Sequence, residues 1–178
     1  MTTREHVFIS YLESLTEDRA ALAALRRGLG QPPGTVPDTF RYVIPMMPDD
    51  AYPGSWKEAT YYLISSLFAL HPESVSDGNL GDHFAATLDP QSDNQDAVER
   101  RFTALLTADP ADLHIYLRQG INFLKSKEIP VNWHQLMADT LRMERPQSVL
   151  WVRKRWANAF WRYNVSTSAE SATNQSTN

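Results

Sequence analysis

The sequence predicts an all-α fold made of two small helical bundles joined by a short polar linker. Leucine (18) and alanine (18) far outnumber isoleucine (6) and valine (9), a composition that favours helices over strands. No stretch shows the sustained period-two alternation of a half-buried strand. Six of the eleven prolines fall between Pro32 and Pro53, and the later ones are spaced about one helix apart.

The N-terminal bundle is predicted over residues 1–88. It begins with an amphipathic helix whose apolar face carries Val7, Phe8, Tyr11, Leu12 and Leu15. Thr16, followed by two acidic residues, is predicted to cap a second helix, because acidic groups suit a helix N-terminus. We expect this helix to end at Gly28 to Gly30.

A proline-rich connection follows, with a short helical piece around Asp38 to Ile44. Ser55 and Glu58 have the capping-box spacing, which predicts a helix through Leu70. This helix is apolar nearly all round, so we expect it to be central. A shorter helix is predicted from Asn79 to Leu88.

The polar residues 89–94 are predicted to form the linker. The C-terminal bundle then covers 95–164, with helices near 95–107, 110–127, 132–143 and 147–163. Asp109 is the predicted N-cap of the second of these, with Pro110 at its first position. Residues 165–178 are almost entirely small and polar, which predicts a disordered tail.

Composition excludes several classes of protein. The 178 residues can bury a core, and they include no cysteine, which excludes disulfide scaffolds and cysteine-ligated metals. The N-terminus lacks the apolar segment of a signal peptide, and the densest apolar run, Tyr61 to Leu70, is too short to span a membrane. We therefore expect a cytoplasmic protein with no membrane partner.

Motifs for catalysis are missing from the sequence. The five histidines have no metal-ligand spacing, and the sequence contains no nucleophile elbow, phosphate-binding loop lysine or dinucleotide-binding glycine pattern. The adjacent Asp49 and Asp50 lie in the proline-rich connection. This position favours two solvent-exposed loop carboxylates over a catalytic acid and base pair. The sequence predicts no enzyme, no metal and no cofactor.

Charge is divided unevenly along the chain. Residues 1–98 hold 6 Lys/Arg and 14 Asp/Glu, whereas residues 99–178 hold 11 and 7. Helical periodicity places Arg101 on the flank of its helix. It directs other second-half side chains outward, namely Arg100, Arg118, Asn122, Lys125, Lys154, Arg155, Asn158 and Arg162, with Trp151 and Trp161 beside the last four. Cations mixed with aromatics suit a nucleic-acid backbone with some base stacking. The alternative is solvated helix faces, with the tryptophans packed on a neighbouring helix.

The order of several short motifs resembles the CasB family, the small subunit of the type I-E CRISPR Cascade complex. In the first half these are ALRRG (24–28), FRYVIP (40–45), YYLISSLFALHP (61–72) and NLG (79–81). In the second half they are ERRF (99–102), AD (108–109), DLHIYLRQ (112–119), LKSKEIPVNW (124–133), QLM (135–137) and RWANAFW (155–161). The resemblance covers most of residues 4–163, and its specificity comes from the ordered set of motifs.

This resemblance implies a non-catalytic, all-helical subunit of a ribonucleoprotein complex, present there as two copies. Its implied partners are the backbone subunits, the large subunit, a second copy of itself, the guide RNA and the target DNA, whose R-loop and displaced strand it would stabilise. The phosphate-contact candidates carried over from the motifs are Arg26, Arg27, Arg100, Arg101 and Arg118. Lys125, Lys127 and Arg142 are added from the helical faces as much as from the resemblance.

Two alternatives remain open at this stage. Arg26 and Arg27 could tie helices together or hold a neighbouring subunit. The protein could also be a helical adaptor that binds only protein. Asp82 stands where the family often has a basic residue, which argues against a DNA contact near Asn79.

Overall fold

The computed structural model describes residues 6–89 and 95–175, and side chains as far as Arg162. Within these ranges the chain forms α1 (Val7–Ser14), α2 (Arg19–Arg26), α3 (Pro37–Val43), α4 (Trp56–Leu70), α5 (Leu80–Ala85), α6 (Gln95–Thr107), α7 (Leu113–Ser126), α8 (Trp133–Arg142) and α9 (Pro146–Gln175). Short 3₁₀ turns follow α3 and precede α7. No strand occurs in the described ranges, and the all-α prediction is confirmed. None of the described helices is long and apolar enough to cross a bilayer.

The cap of α2 differs from the predicted one. The N-cap is Asp18, whose carboxylate accepts a hydrogen bond from the backbone N–H of Ala21 at 2.9 Å. The hydroxyl of Thr16 instead donates to the carbonyl of Glu13 at 2.8 Å, behind the end of α1. Thr16 therefore belongs to the turn between the helices, and the prediction that it caps α2 was wrong.

Helices α4 and α5 both begin with side-chain caps. Ser55 accepts from the N–H of Glu58 at 3.1 Å, as predicted, but the carboxylate of Glu58 accepts from the N–H of Gly54 rather than from that of Ser55, at 2.6 Å. The complete capping box lies on α5, between Asn79 and Asp82. Asp82 accepts from the Asn79 N–H at 2.7 Å, so this acid is used to begin a helix.

A single hydrophobic cluster includes side chains from both predicted bundles. Helix α4 crosses it with nine of its fifteen residues buried, which agrees with its predicted central position. The ring of Phe68 on α4 packs edge-on to Trp133 of α8 at 5.6 Å, and Phe84 packs on Phe102 of α6 at 5.0 Å. Aromatic pairs at these separations stabilise a core beyond the area they bury.

Backbone contacts also join the two halves. Ser74 and Val131 form an isolated parallel β-bridge. Next to it, the N–H of Asn132 donates to Nε2 of the buried His83 at 3.0 Å. The division at 89–94 stays a prediction, because residues 90–94 lie outside the described part of the chain.

Helix α9 extends further than the sequence predicts. Its backbone is helical to Gln175, through most of the segment 165–178 for which a disordered tail is predicted. A polar composition prevents burial but not continued backbone hydrogen bonding along a helix. Residues 176–178, and the side chains after Arg162, lie outside the described residues.

Candidate nucleic-acid interface

One line of polar and basic side chains runs along α7. The buried face consists of Leu113, Leu117, Gly120, Ile121 and Leu124, which includes all four predicted leucine and isoleucine positions. Arg118, Asn122 and Lys125 are exposed on the other side, as predicted. Neither Arg118 nor Lys125 forms an ion pair with a residue that the structure describes. Their charges are therefore available to an anionic partner.

Arg118 reaches the turn that follows α2. Gly30 in that turn has φ of 76°, a left-handed conformation that favours glycine. A Cβ at Gly30 would overlap Nη1 of Arg118. The missing side chain thus leaves room for the guanidinium, which lies against the chain three residues after Arg27.

The two arginines of α2 have intramolecular partners. Nε of Arg26 donates to the carbonyl of Ala69 in the last turn of α4 at 2.7 Å, so Arg26 does tie helices together. Arg27 forms an exposed ion pair with Asp38 of α3. Exposed pairs of this kind are worth only about 0–1 kcal/mol, so a phosphate can readily replace Asp38. We call Arg26, Arg27 and Arg118 the α2–α7 surface.

The arginines of α6 have a different setting. Both are exposed, Arg100 with a predicted outward position opposite the buried Val98, Phe102 and Leu105, and Arg101 with a predicted position on the flank. The guanidinium of Arg101 lies over the ring of Phe123, 4.4 Å from its centroid. Arg100 shares a shallow surface depression with Asp96 and Glu99. These acids weaken the attraction of Arg100 for a polyanion.

The candidate residues do not form one continuous patch. Arg118 and Phe123 are five residues apart, which is about 140° around a helix. Arg118 contacts the α2 turn whereas Phe123 contacts Arg101, so the two sets of cations lie on different flanks of α7. Lys125 follows the Arg118 side, and Lys127 is the exposed C-cap residue of α7.

A third group of cations lies where α8 meets α9. The guanidinium groups of Arg142 and Arg155 both lie over the ring of Trp151, at 4.6 and 4.8 Å from its centroid. Arg155 is predicted to point outward, but Nη1 of Arg155 bonds Oδ1 of Asp139 at 3.1 Å. The prediction for Arg155 was therefore only partly right.

Trp161 also departs from its predicted outward position. Its ring lies 5.8 Å from Phe102 and 5.0 Å from Phe160, at the edge of the core. The alternative, in which a tryptophan of this helix packs on a neighbouring helix, is correct for Trp161.

A cleft of about 440 Å³ opens between the turn after α2, α4 and α7. Its walls are mainly apolar and include Pro32, Tyr62 and Leu113, with Arg118 on one side. Among the residues that the structure describes, no group of three or more His, Asp or Glu side chains is arranged to hold a metal ion.

Comparison with known proteins decides the family. The model of the family described as CRISPR-associated protein Cse2 matches residues 21–161. The curated CRISPR-associated protein Cse2 of Thermus thermophilus is 31% identical over 160 residues, which are 86% of this chain and 88% of that protein. This chain belongs to the Cse2 family.

Solved structures of similar proteins agree with this assignment. The crystal structure of M. ruber CasB has 29% sequence identity and a TM-score of 0.75, with 96% of this chain and 99% of that chain covered. A chain of a CRISPR RNA-guided surveillance complex has a TM-score of 0.76 at 24% identity and covers 92% and 95%. The second likeness concerns the fold alone. The family predicted from the ordered motifs is confirmed.

Sequence reasoning missed Asp139 in this Cse2 protein. The residue is 1% exposed, and its carboxylate accepts hydrogen bonds from Nε1 of Trp156 at 2.8 Å, from Gln135 at 2.8 Å and from Arg155. Burial raises the pKa of Asp139, and these donors and the nearby arginines oppose that rise. One signal in the sequence could have indicated it: Gln135 and Asp139 are four residues apart on one helix, the spacing of a side-chain hydrogen bond, beside an otherwise apolar face.

Proposed function

We propose that this Cse2-family chain is a non-catalytic subunit of the cytoplasmic, RNA-guided Cascade complex and binds nucleic acid without sequence specificity. In this role it stabilises the R-loop of guide RNA and target DNA and the displaced strand. Its protein partners are the backbone subunits, the large subunit and a second copy of itself. Support comes from the family and from the fold shared with a chain of an RNA-guided surveillance complex. R-loop formation is a nearly balanced exchange of strands, so contacts to the backbone can tip it.

The observation that carries this proposal is the α2–α7 surface. Arg118 and Lys125 are exposed along one side of α7 with no ion pair to a described residue, and Arg118 lies against the turn that follows Arg27. Arginine binds phosphate oxygens through two parallel N–H groups, and such contacts position a protein without reading sequence. The guide RNA then supplies the sequence specificity.

The experiment is a titration of labelled single- and double-stranded DNA, followed by fluorescence anisotropy at salt concentrations from about 50 to 200 mM. The substitution R118A should weaken binding to all sequences alike. Because each lost phosphate contact removes close to one unit from the slope of log K against log salt, the slope should become shallower by about 0.9 for duplex DNA.

The matched control is R19A. Arg19 is exposed at the opposite end of α2 from Arg26, so its loss removes equal charge without removing a residue of the α2–α7 surface. The R19A slope should equal that of the wild type. Equal effects of R19A and R118A, or binding that varies with base sequence, would contradict the proposal.

A helical adaptor that binds only protein is the second candidate. The mainly apolar cleft between α4 and α7 favours it, since apolar concave surfaces are typical of docking sites. The same titration separates the two functions. A wild-type protein that binds neither DNA even at low salt supports the adaptor.

A further inference from the structure

Trp151 on α9 is an exposed aromatic ring in contact with two arginines. Its exposed fraction is 44%, although a tryptophan is costly to leave in water. The guanidinium carbons of Arg142 and Arg155 lie 4.6 and 4.8 Å from the centre of its ring. The ring is therefore oriented from two helices while part of it stays accessible.

The two arginines are held very differently. Arg155 is anchored by the carboxylate of Asp139, which is itself buried and fixed by Trp156 and Gln135. Arg142 is exposed, and its guanidinium lies over Trp151 and within electrostatic reach of Asp139, but it forms no hydrogen bond or ion pair with the described residues. Arg155 thus fixes the ring, and Arg142 is free to move off it.

The surroundings of Trp151 are basic. Arg145 and Lys154 are exposed within six residues of it along the chain, and residues 139–162 of the sequence include two acids, Glu144 and the buried Asp139 that pairs with Arg155. A cationic surface around an accessible aromatic ring favours a polyanion that also carries flat rings. Single-stranded nucleic acid has this combination, whereas the bases of a duplex are already stacked on one another.

We propose that Trp151 is a stacking platform for an unpaired base of single-stranded nucleic acid, with Arg155 holding the ring and Arg142 turning to the adjacent phosphate. This site rests on the proposed function and assigns a side chain of α9 to the contact with an unpaired strand. An exposed cation–π contact is weaker than the stack of a base on an aromatic ring, so a base can displace Arg142. The displaced guanidinium then gains a charge-assisted hydrogen bond to phosphate.

The test compares W151A, W151F and the wild type for binding of a fluorescein-labelled oligothymidylate and of a duplex of the same length. Loss of one base stack should weaken W151A for the single strand by about fivefold or more, without change for the duplex. The salt slope should stay that of the wild type, because no charge is removed. W151F retains a ring and should bind the single strand within about twofold of the wild type.

L150A is the matched control, since Leu150 is the exposed neighbour of Trp151 and is 60% exposed. It should bind both DNAs as the wild type does. Intrinsic fluorescence adds a direct readout: oligothymidylate should quench part of the wild-type tryptophan emission, and W151F should lack that part while still binding. Circular dichroism of each variant verifies that the helices are intact.

The outcomes separate the platform from the function on which it rests. Equal loss of single-strand and duplex binding in W151A, or W151F as weak as W151A, overturns the platform alone. Unchanged DNA binding by W151A, with failure to enter an assembled complex, makes Trp151 a protein contact and also overturns it. Wild-type protein that binds neither DNA contradicts the proposed function and the platform together.

Discussion

The backbone of Gly81 on α5 lies directly against the carbonyl group of Trp156 on α9. A Cβ at Gly81 would overlap the oxygen of Trp156 and also its carbonyl carbon. Both residues are buried, and Trp156 is held from its other end by Asp139. The glycine of the NLG motif is therefore required by the close crossing of two helices from opposite halves of the chain.

The substitution G81A should destabilise the protein by about 3 kcal/mol, at the upper end of overpacking effects, because a backbone carbonyl cannot rotate away as a side chain can. G120A is the control. Its Cβ would meet only the ring edge of Phe84 at 3.2 Å, and alanine gains about 1 kcal/mol over glycine inside a helix. Urea unfolding should show a clearly lower free energy of unfolding for G81A and little change for G120A. Similar decreases in the two variants would mean that α5 and α9 can move apart without much loss of stability.

Acid should weaken the contact between the two halves at His83. Burial lowers the pKa of His83 to about 4, and the charge of Asp82 only partly opposes this. The neutral ring accepts the Asn132 N–H through Nε2, and protonation removes that acceptor. Since the unfolded chain binds the proton at higher pH, the free energy of unfolding should fall by about 3 kcal/mol as the pH drops from 6.5 to about 4.

The measurement is urea unfolding at several pH values between about 7 and 4. H83Q removes the titrating group, so its stability should fall less over this range than that of the wild type. The exposed His114 supplies the control, and H114Q should keep the wild-type profile. A wild-type profile for H83Q would show that His83 is not the group responsible.

Local signals explain why so much of the fold could be predicted from the sequence. The apolar spacing of Leu113, Leu117, Ile121 and Leu124 depends only on the period of the helix, and the Ser55 cap depends only on residues in its own turn. Where two residues in the same short turn offered equivalent cap chemistry, as Thr16 and Asp18 do, the sequence alone could not choose between them. The outcome depended on where the preceding helix ended.

The setting of the candidate site residues could not be predicted in the same way. Arg26 finds its acceptor 43 residues away at Ala69, and Arg155 finds Asp139 16 residues away on another helix. Periodicity indicates that a side chain points out of its own helix, but not which neighbouring element it then meets. Exposure was thus predictable for Arg118, whereas its position over Gly30 was not.

Removing the Asp139 carboxylate should lower the free energy of unfolding, because three donors bond to it. D139A leaves the buried Nε1 of Trp156 and the guanidinium of Arg155 without their acceptor, and we expect a loss of about 3 kcal/mol. D139N should lose less stability, since an amide keeps one acceptor oxygen but turns an NH₂ group toward one of the donors. Thermal unfolding measures both, and equal losses would show that the charge rather than the hydrogen-bond geometry matters.

The ion pair between Arg27 and Asp38 predicts that one substitution, D38N, strengthens DNA binding. D38N frees Arg27 from its ion pair and removes a negative charge beside the α2–α7 surface. The protein should stay folded, because an exposed ion pair contributes at most about 1 kcal/mol to the free energy of unfolding. Binding to single- and double-stranded DNA should therefore tighten, by up to about fivefold at low salt, with a steeper salt slope.

The control for this prediction is D50N. The exposed Asp50 likewise forms an ion pair with a cation, the partly buried Lys57, but at the start of α4 rather than at the end of α2. Both substitutions change the net charge equally, so a general electrostatic effect would tighten DNA binding to the same extent in each variant. Tighter binding by D38N alone places a phosphate contact at Arg27. Equal gains would mean that Arg27 acts only through the overall charge, and no gain would remove it from the interface.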